Sequence, residues 1–186
     1  MSDLVLGSAF RLLAKPIQDA LAEAGFVEAT LPQTLTFAPI LQGKNVLLIA
    51  PTGTGKTEAV LLPLLSKLVE QKNEERQEKG IQIIYITPLR ALNRDMLKRV
   101  TFWAQRLSLT VEVRHGDTEI KTRRKQARQP PQILVTTPET LQAILAGSQM
   151  RRHLCSVTSV IIDEVHELAE SKRGTQLALA LERLQR

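Results

Sequence analysis

The chain has 186 residues, 43% apolar and 24% charged, a balance that excludes disorder, collagen and a disulfide scaffold and fits a globular chain with a core. It has no apolar run near the roughly 20 residues that cross a bilayer, no basic stretch ahead of an apolar one at its amino terminus, and a lone cysteine, Cys155, so a cytoplasmic setting without a membrane partner is expected. The net charge of +6 is concentrated, since residues 90–128 hold 11 basic and four acidic side chains and the rest of the chain sums to −1; this suggests a polyanionic partner, nucleic acid before membrane, with a solvated basic face as the bland alternative.

Residues 1–25 read as an amino-terminal helical segment. Leu12, Leu13, Ile17, Ala20, Leu21 and Ala24 recur at helical spacing, and Gly25 ends the run. NVLLIA (45–50) reads as the first strand. A helix starts near Lys56, and Pro63, lying beyond its first turn, predicts a kink. The polar stretch 70–79 reads as an exposed helix end stopped at Gly80. Further strands are expected at 82–87, 109–114, 132–137 and 157–163. Helical spacing separates them, in Ala91, Leu92, Met96 and Val100, and in Leu141, Ile144 and Leu145. Several strands are almost continuously apolar, as strands covered on both faces are. Strand and helix in alternation give parallel crossover units, hence an α/β fold with a central, mostly parallel sheet covered by helices on both faces.

Ala50-Pro51-Thr52-Gly53-Thr54-Gly55-Lys56-Thr57 lies between the first strand and a helix, the context of a P-loop. Gly53 and Gly55 let the backbone turn its amides toward a phosphate, and the helix amino end adds positive potential. Lys56 would bridge β- and γ-phosphates, and Thr57 would offer a hydroxyl to Mg²⁺. The bland alternative is a glycine-rich strand-to-helix turn. Asp163-Glu164-Val165-His166 follows Val160, Ile161 and Ile162 at the carboxyl end of the last strand, where parallel sheets place their chemistry. There Asp163 would hold the Mg²⁺ shell and Glu164 would orient or deprotonate the attacking water. Two acids opening a solvated helix are the alternative.

These segments resemble the superfamily-two helicases, and among them most closely the large helicase-related (Lhr) proteins. The likeness runs from about Phe26 to the end of the chain and rests on APTGTGKT, ITPLRAL, HGDT, LVTTPETL and DEVHELAESKRGTQLALALERL. Ala50, where the general P-loop pattern has glycine, is a variant common in nucleic-acid motors. The resemblance implies a RecA-like P-loop domain over residues 26–186, the first of two motor domains, incomplete at its carboxyl end. It implies ATP and Mg²⁺ as cofactors, with Gln33 reading the adenine edge and His166 coupling the nucleotide site to nucleic acid. Phe26 is a candidate for adenine stacking and equally a core phenylalanine. Nucleic-acid backbone would be held by Thr87, Pro88, Leu89 and Arg90, by Thr136, Thr137, Pro138 and Glu139, and by His115, Gly116 and Asp117. For Arg90 a solvated helix start, and for Thr137 an ordinary helix cap, are the alternatives. The expected function is an ATP-dependent helicase or translocase acting on single-stranded or partly duplex nucleic acid, DNA favoured over RNA. Members of the family continue past the DEVH helix to a Ser-Ala-Thr segment and a second RecA-like domain with arginine fingers. The chain is therefore expected to be a fragment that hydrolyses ATP poorly alone. The alternatives are a P-loop binding module without turnover and, more weakly, a small-molecule kinase.

Overall fold

The computed structural model describes residues 7–73, 80–88 and 94–185. The chain forms two compact units, one of residues up to 77 together with 98–108, the other of residues 78–97 and 109 onward.

The first unit opens with a short 3-10 turn at Phe10–Leu12 followed by helix α1, Lys15–Glu23. One continuous helix was expected here, and two pieces form. Pro16 supplies the reason: its ring is compatible with a first turn but not a helix interior, and the chain turns extended at Leu13 and Ala14. The break is fastened by the Ala14 amide, which donates to the Ser66 hydroxyl at 2.7 Å. Gly25 ends the segment as expected, with φ +79°. Helix α2, Leu31–Leu41, starts in a capping box in which the Thr30 and Gln33 side chains bond each other's backbone. Helix α3, Lys56–Asn73, runs through Pro63 as one element. Proline has no N–H for the carbonyl four residues back, and the Thr36 hydroxyl of α2 donates to that carbonyl, on Ala59, at 2.9 Å. The proline is thus accommodated by a neighbour. Phe10, Ile17, Leu21, Phe37, Leu61, Leu62 and Leu65 are all buried in this unit.

Residues 45–50 correct the expectation of a first strand: they join no sheet. Val46, Leu47 and Ile49 are 40%, 73% and 86% exposed. The run has the composition of a doubly covered strand, but a strand exists only through ladder bonds to a neighbour. No described strand supplies them.

The second unit is a four-stranded parallel sheet of β1 Ile83–Ile86, β2 Val111–Arg114, β3 Ile133–Thr136 and β4 Ser159–Ile162, in the order β2-β3-β1-β4. Four expected strands are therefore present. β1 and β3 are central and every residue of each is buried, as their unbroken apolar sequences require. Helix α4, Arg94–Arg106, begins in this unit and ends in the first; α5 is Ile120–Arg128, α6 Pro138–Ala146, α7 Val165–Ala169 and α8 Lys172–Leu184. Ile84, Ile86 and Leu134 form one core with Leu141, Ile144 and Leu145 of α6 and Leu177 and Ala180 of α8. Each such aliphatic side chain contributes about 1.5–3 kcal/mol on burial. A Cβ on Gly174 would overlap the Leu168 carbonyl oxygen, so the Ser-Lys-Arg-Gly turn is what lets α8 start hard against α7. No helix among the described residues is long and apolar enough to cross a membrane.

A candidate nucleotide and nucleic-acid site

In the first unit, Gly53 and Gly55 adopt φ +78° and +81°, left-handed values that cost an L-residue roughly 1–2 kcal/mol. Lys56 arches back over the loop, its Nζ donating to the Ala50 and Pro51 carbonyls at 2.7 and 3.1 Å. Thr54 donates to Pro51 O at 2.8 Å. Thr52 is exposed, while Thr57 is half-buried at the first turn of α3. Gln33 meets this loop directly: a Cβ on Gly55 would lie 2.8 Å from Gln33 Nε2 and 3.4 Å from Thr30 Oγ1. Gln33 is only 3% exposed and its Oε1 accepts from the Thr30 amide at 3.0 Å. The capping box of α2 therefore fixes the glutamine against the P-loop and leaves its amide nitrogen on that side.

Phe26 is 39% exposed and packs, tilted, on Trp103, with ring centroids 5.6 Å apart. Phe102 meets Trp103 edge-on at 4.9 Å and carries the Arg106 guanidinium over its own ring at 3.6 Å. Trp103 Nε1 donates to Glu58 Oε1 at 3.4 Å. Arg99 closes a two-point bond on the same carboxylate, through Nε at 2.8 Å and through its terminal nitrogen. Glu58, the residue after Gly-Lys-Thr, is thereby buried with full charge compensation. Sequence reasoning missed Glu58, Arg99 and Trp103. The available signal was an acid in the first turn of a helix where an otherwise apolar face begins.

In the second unit, the strands are parallel, so the residues that follow them gather along one edge of the sheet. After β4 stands Asp163, its amide bonded to Ile86 O at 2.8 Å. Its Oδ1 accepts from the Glu164 amide at 3.0 Å and its Oδ2 from the Tyr85 hydroxyl at 2.8 Å. Glu164 itself is left-handed, φ +50° and ψ +42°. Its Oε2 lies 3.5 Å from His166 Nδ1, in a pair open to solvent. Thr87 and Pro88 follow β1 and both are buried. The Thr87 amide reaches Thr136 O at 3.0 Å, but its buried hydroxyl has no hydrogen-bond partner among the described residues. Leu89 and Arg90 lie outside the described residues. After β3, the Thr137 hydroxyl accepts from the Thr140 amide at 3.4 Å, the cap that its position before Pro138 allowed. Pro138 is buried, and Glu139 accepts from Arg173 Nε of α8 at 2.8 Å.

After β2, the His115 amide donates to Thr118 Oγ1 at 2.9 Å, and its Nδ1 accepts from the Asp117 amide at 3.3 Å. Gly116 is open, with nothing within 4 Å of a Cβ. Arg123 of α5 donates to the Gly116 and His115 carbonyls. Arg114 stands beside Arg123, and burial first, then that second guanidinium, hold its pKa below the ordinary arginine value. Two cations close enough to disfavour each other form a local positive field suited to a phosphate.

The Asp163–Glu164 pair thus shares one sheet edge with Thr87, His115 and Thr137, and Gln33 shares the first unit with the P-loop. The DEAD/DEAH box helicase model matches residues 30–186. The chain is 38% identical, over 95% of its length, to ATP-dependent helicase Lhr-Core protein 2 of Thermococcus barophilus, and covers 22% of it. Among solved structures, it is similar to the Mycobacterium smegmatis helicase Lhr bound to ssDNA and AMP-PNP, with 36% identity and a TM-score of 0.84 over 96% of this chain and 23% of that one. It is also similar to the DEAD-box helicase Mss116 bound to ssRNA and UDP-BeF, with 25% identity and a TM-score of 0.82 over 93% of this chain and 35% of that one. The chain spans between about a fifth and a third of the length of these relatives. With its parallel sheet, P-loop and paired acids, it belongs to the DEAD/DEAH box helicase family as a RecA-like, ATP-binding motor domain.

Proposed function

We propose that the chain is the nucleotide-binding motor domain of an ATP-dependent helicase that tracks nucleic acid, DNA before RNA, together with a second RecA-like domain. The observation that carries this is the P-loop itself, with two left-handed glycines and the buried Gln33 amide set against Gly55. In this reading Lys56 compensates the β- and γ-phosphate charge, and Gln33 meets the adenine edge with Phe26 as a stacking surface. Thr57 and Asp163 offer a hydroxyl and a carboxylate, the hard oxygen donors that suit Mg²⁺. Bound with the nucleotide, Mg²⁺ would neutralise charge on the phosphate oxygens. Glu164, exposed enough to meet water, orients or deprotonates the attacking water, and His166 links that carboxylate to the nucleic-acid side. Thr87, Pro88, Arg90, His115, Gly116, Thr137, Pro138 and Glu139 hold backbone, which carries little base information. The likeness to a helicase solved with ssDNA and AMP-PNP supports both ligands.

The test is nucleotide binding and ATP turnover by the 186-residue chain, with and without single-stranded DNA or RNA, at low salt where phosphate contacts are strong. Mg-ATP should bind while turnover stays low if the second RecA-like domain supplies the arginine finger, since losing one costs roughly 10³–10⁵ in rate. Lys56→Ala should weaken binding and Glu164→Gln should preserve it. Turnover at the rate of an intact motor refutes the need for a second domain. Equal loss of binding in both variants refutes the role given to Glu164.

A further inference from the structure

Tyr85 is the chain's one tyrosine. It sits in the centre of β1, 2% exposed, among residues that are otherwise isoleucine. An aliphatic side chain would fill that position without the requirement for a buried hydroxyl partner. The register explains the partner it has. Tyr85 lies directly opposite Ile161 of β4, and side chains two apart on a strand share a face. Asp163, two residues beyond Ile161, is therefore the diagonal neighbour of Tyr85 on the same side, a reach that an aromatic side chain can make and isoleucine cannot. The phenol spans it, donating to Oδ2 at 2.8 Å, while Oδ1 accepts from the Glu164 amide at 3.0 Å. The Asp163 carboxylate is thus held at both oxygens. One bond comes from its own turn, and the other from the central strand that also leads into Thr87 and Pro88.

We infer that Tyr85 is a positioning residue for the divalent-cation site, fixing the rotamer of the Asp163 carboxylate so that its remaining lone pairs stay open to a divalent cation. The inference rests on the proposed role of Asp163. A bond from the strand before a proposed backbone-holding segment to this carboxylate also ties that segment directly to Asp163. Outer partners of this kind typically contribute about 10–100-fold in metal affinity.

The test is Mg²⁺-dependent binding of a fluorescent ATP analogue to the 186-residue chain and to Tyr85→Phe, which keeps the ring and loses only the hydroxyl. The Mg²⁺ concentration for half-maximal binding should rise about 10-fold, with nucleotide affinity in EDTA unchanged; a purely structural tyrosine would shift both or neither. An unaltered Mg²⁺ requirement in Tyr85→Phe overturns the inference and leaves the function proposed above intact. Nucleotide binding by the parent chain that ignores Mg²⁺ overturns the role of Asp163 and the inference with it. Because the tyrosine is single, a ring-carbon-13 label gives one resonance. That resonance should move when Mg²⁺ is added to the nucleotide-loaded parent chain and stay still in Asp163→Asn. This reading serves if Tyr85→Phe does not fold, and a silent resonance counts against the inference.

Discussion

Removing Arg99 should expose how much the first unit depends on one compensated carboxylate. Glu58 is 8% exposed in its side chain and Arg99 45%. A fully buried pair broken at one partner costs about 3–5 kcal/mol, and a fully exposed one about 0–1 kcal/mol. With the acid buried and the guanidinium half in water, Arg99→Met should cost about 2 kcal/mol, because among the described residues it leaves the Glu58 charge with the Trp103 N–H alone. Methionine keeps the apolar stem in place, so lost packing contributes little. Glu58→Gln retains an acceptor for Trp103 and removes the ion pair from a guanidinium that water can reach, and should cost about 1 kcal/mol. The double variant should be less destabilised than the sum of the singles, by about 1 kcal/mol or more. Urea unfolding followed through Trp103, the chain's one tryptophan, reports all three, since the indole touches the carboxylate under test. A change below about 0.5 kcal/mol for Arg99→Met, the range of ordinary surface substitutions, would refute the reasoning. So would strict additivity in the double variant.

Three further outcomes follow from unusual local arrangements. Thr36→Val should destabilise by about 1–3 kcal/mol because it deprives the Ala59 carbonyl of its donor; adding Pro63→Ala, which restores the backbone N–H, should recover most of that in thermal melts, and no recovery would contradict the assignment. At Glu164 the usual order of helix-friendly residues should invert, with Glu164→Gly more stable than Glu164→Ala by about 1 kcal/mol, since φ is +50°; alanine equal to glycine in urea unfolding would remove the strain argument. Thr87→Val should leave stability unchanged or raise it by about 1 kcal/mol, its buried hydroxyl having no partner among the described residues, while weakening binding to single-stranded DNA in a titration. Equal binding would separate that hydroxyl from nucleic acid.

Much of the second unit was legible because its signals are local. β-branched runs bounded by turn residues marked β1 to β4, and parallel crossovers put Thr87, His115, Thr137 and Asp163 at one sheet edge. The P-loop glycines were readable for the same reason, as only glycine adopts their φ cheaply. The misreadings came where a distant partner decides the outcome. Helical spacing in residues 12–24 ignored the way Pro16 restarts the helix and Ser66 secures the break. Nor does any periodicity show that Thr36, on another helix, supplies the donor that Pro63 cannot give the Ala59 carbonyl. Tyr85 read as one more apolar strand residue, since nothing in its neighbours announces a carboxylate diagonally across the sheet. Glu58 and Arg99 are 41 positions apart, and no periodicity links them.

The stretch leading into the P-loop has a consequence for binding energetics. Helix α3 anchors the loop on one side, whereas residues 45–50 reach it on the other without ladder bonds among the described residues, Leu47 and Ile49 lying largely in water. Fixing a backbone residue costs about 1–2 kcal/mol of conformational entropy, so phosphate capture that must also still this stem loses affinity in proportion. A strand that docks on 45–50 removes that cost in advance. By linkage the two events are reciprocal: whatever pairs with the stem tightens nucleotide binding, and nucleotide tightens the hold on the strand by the same factor.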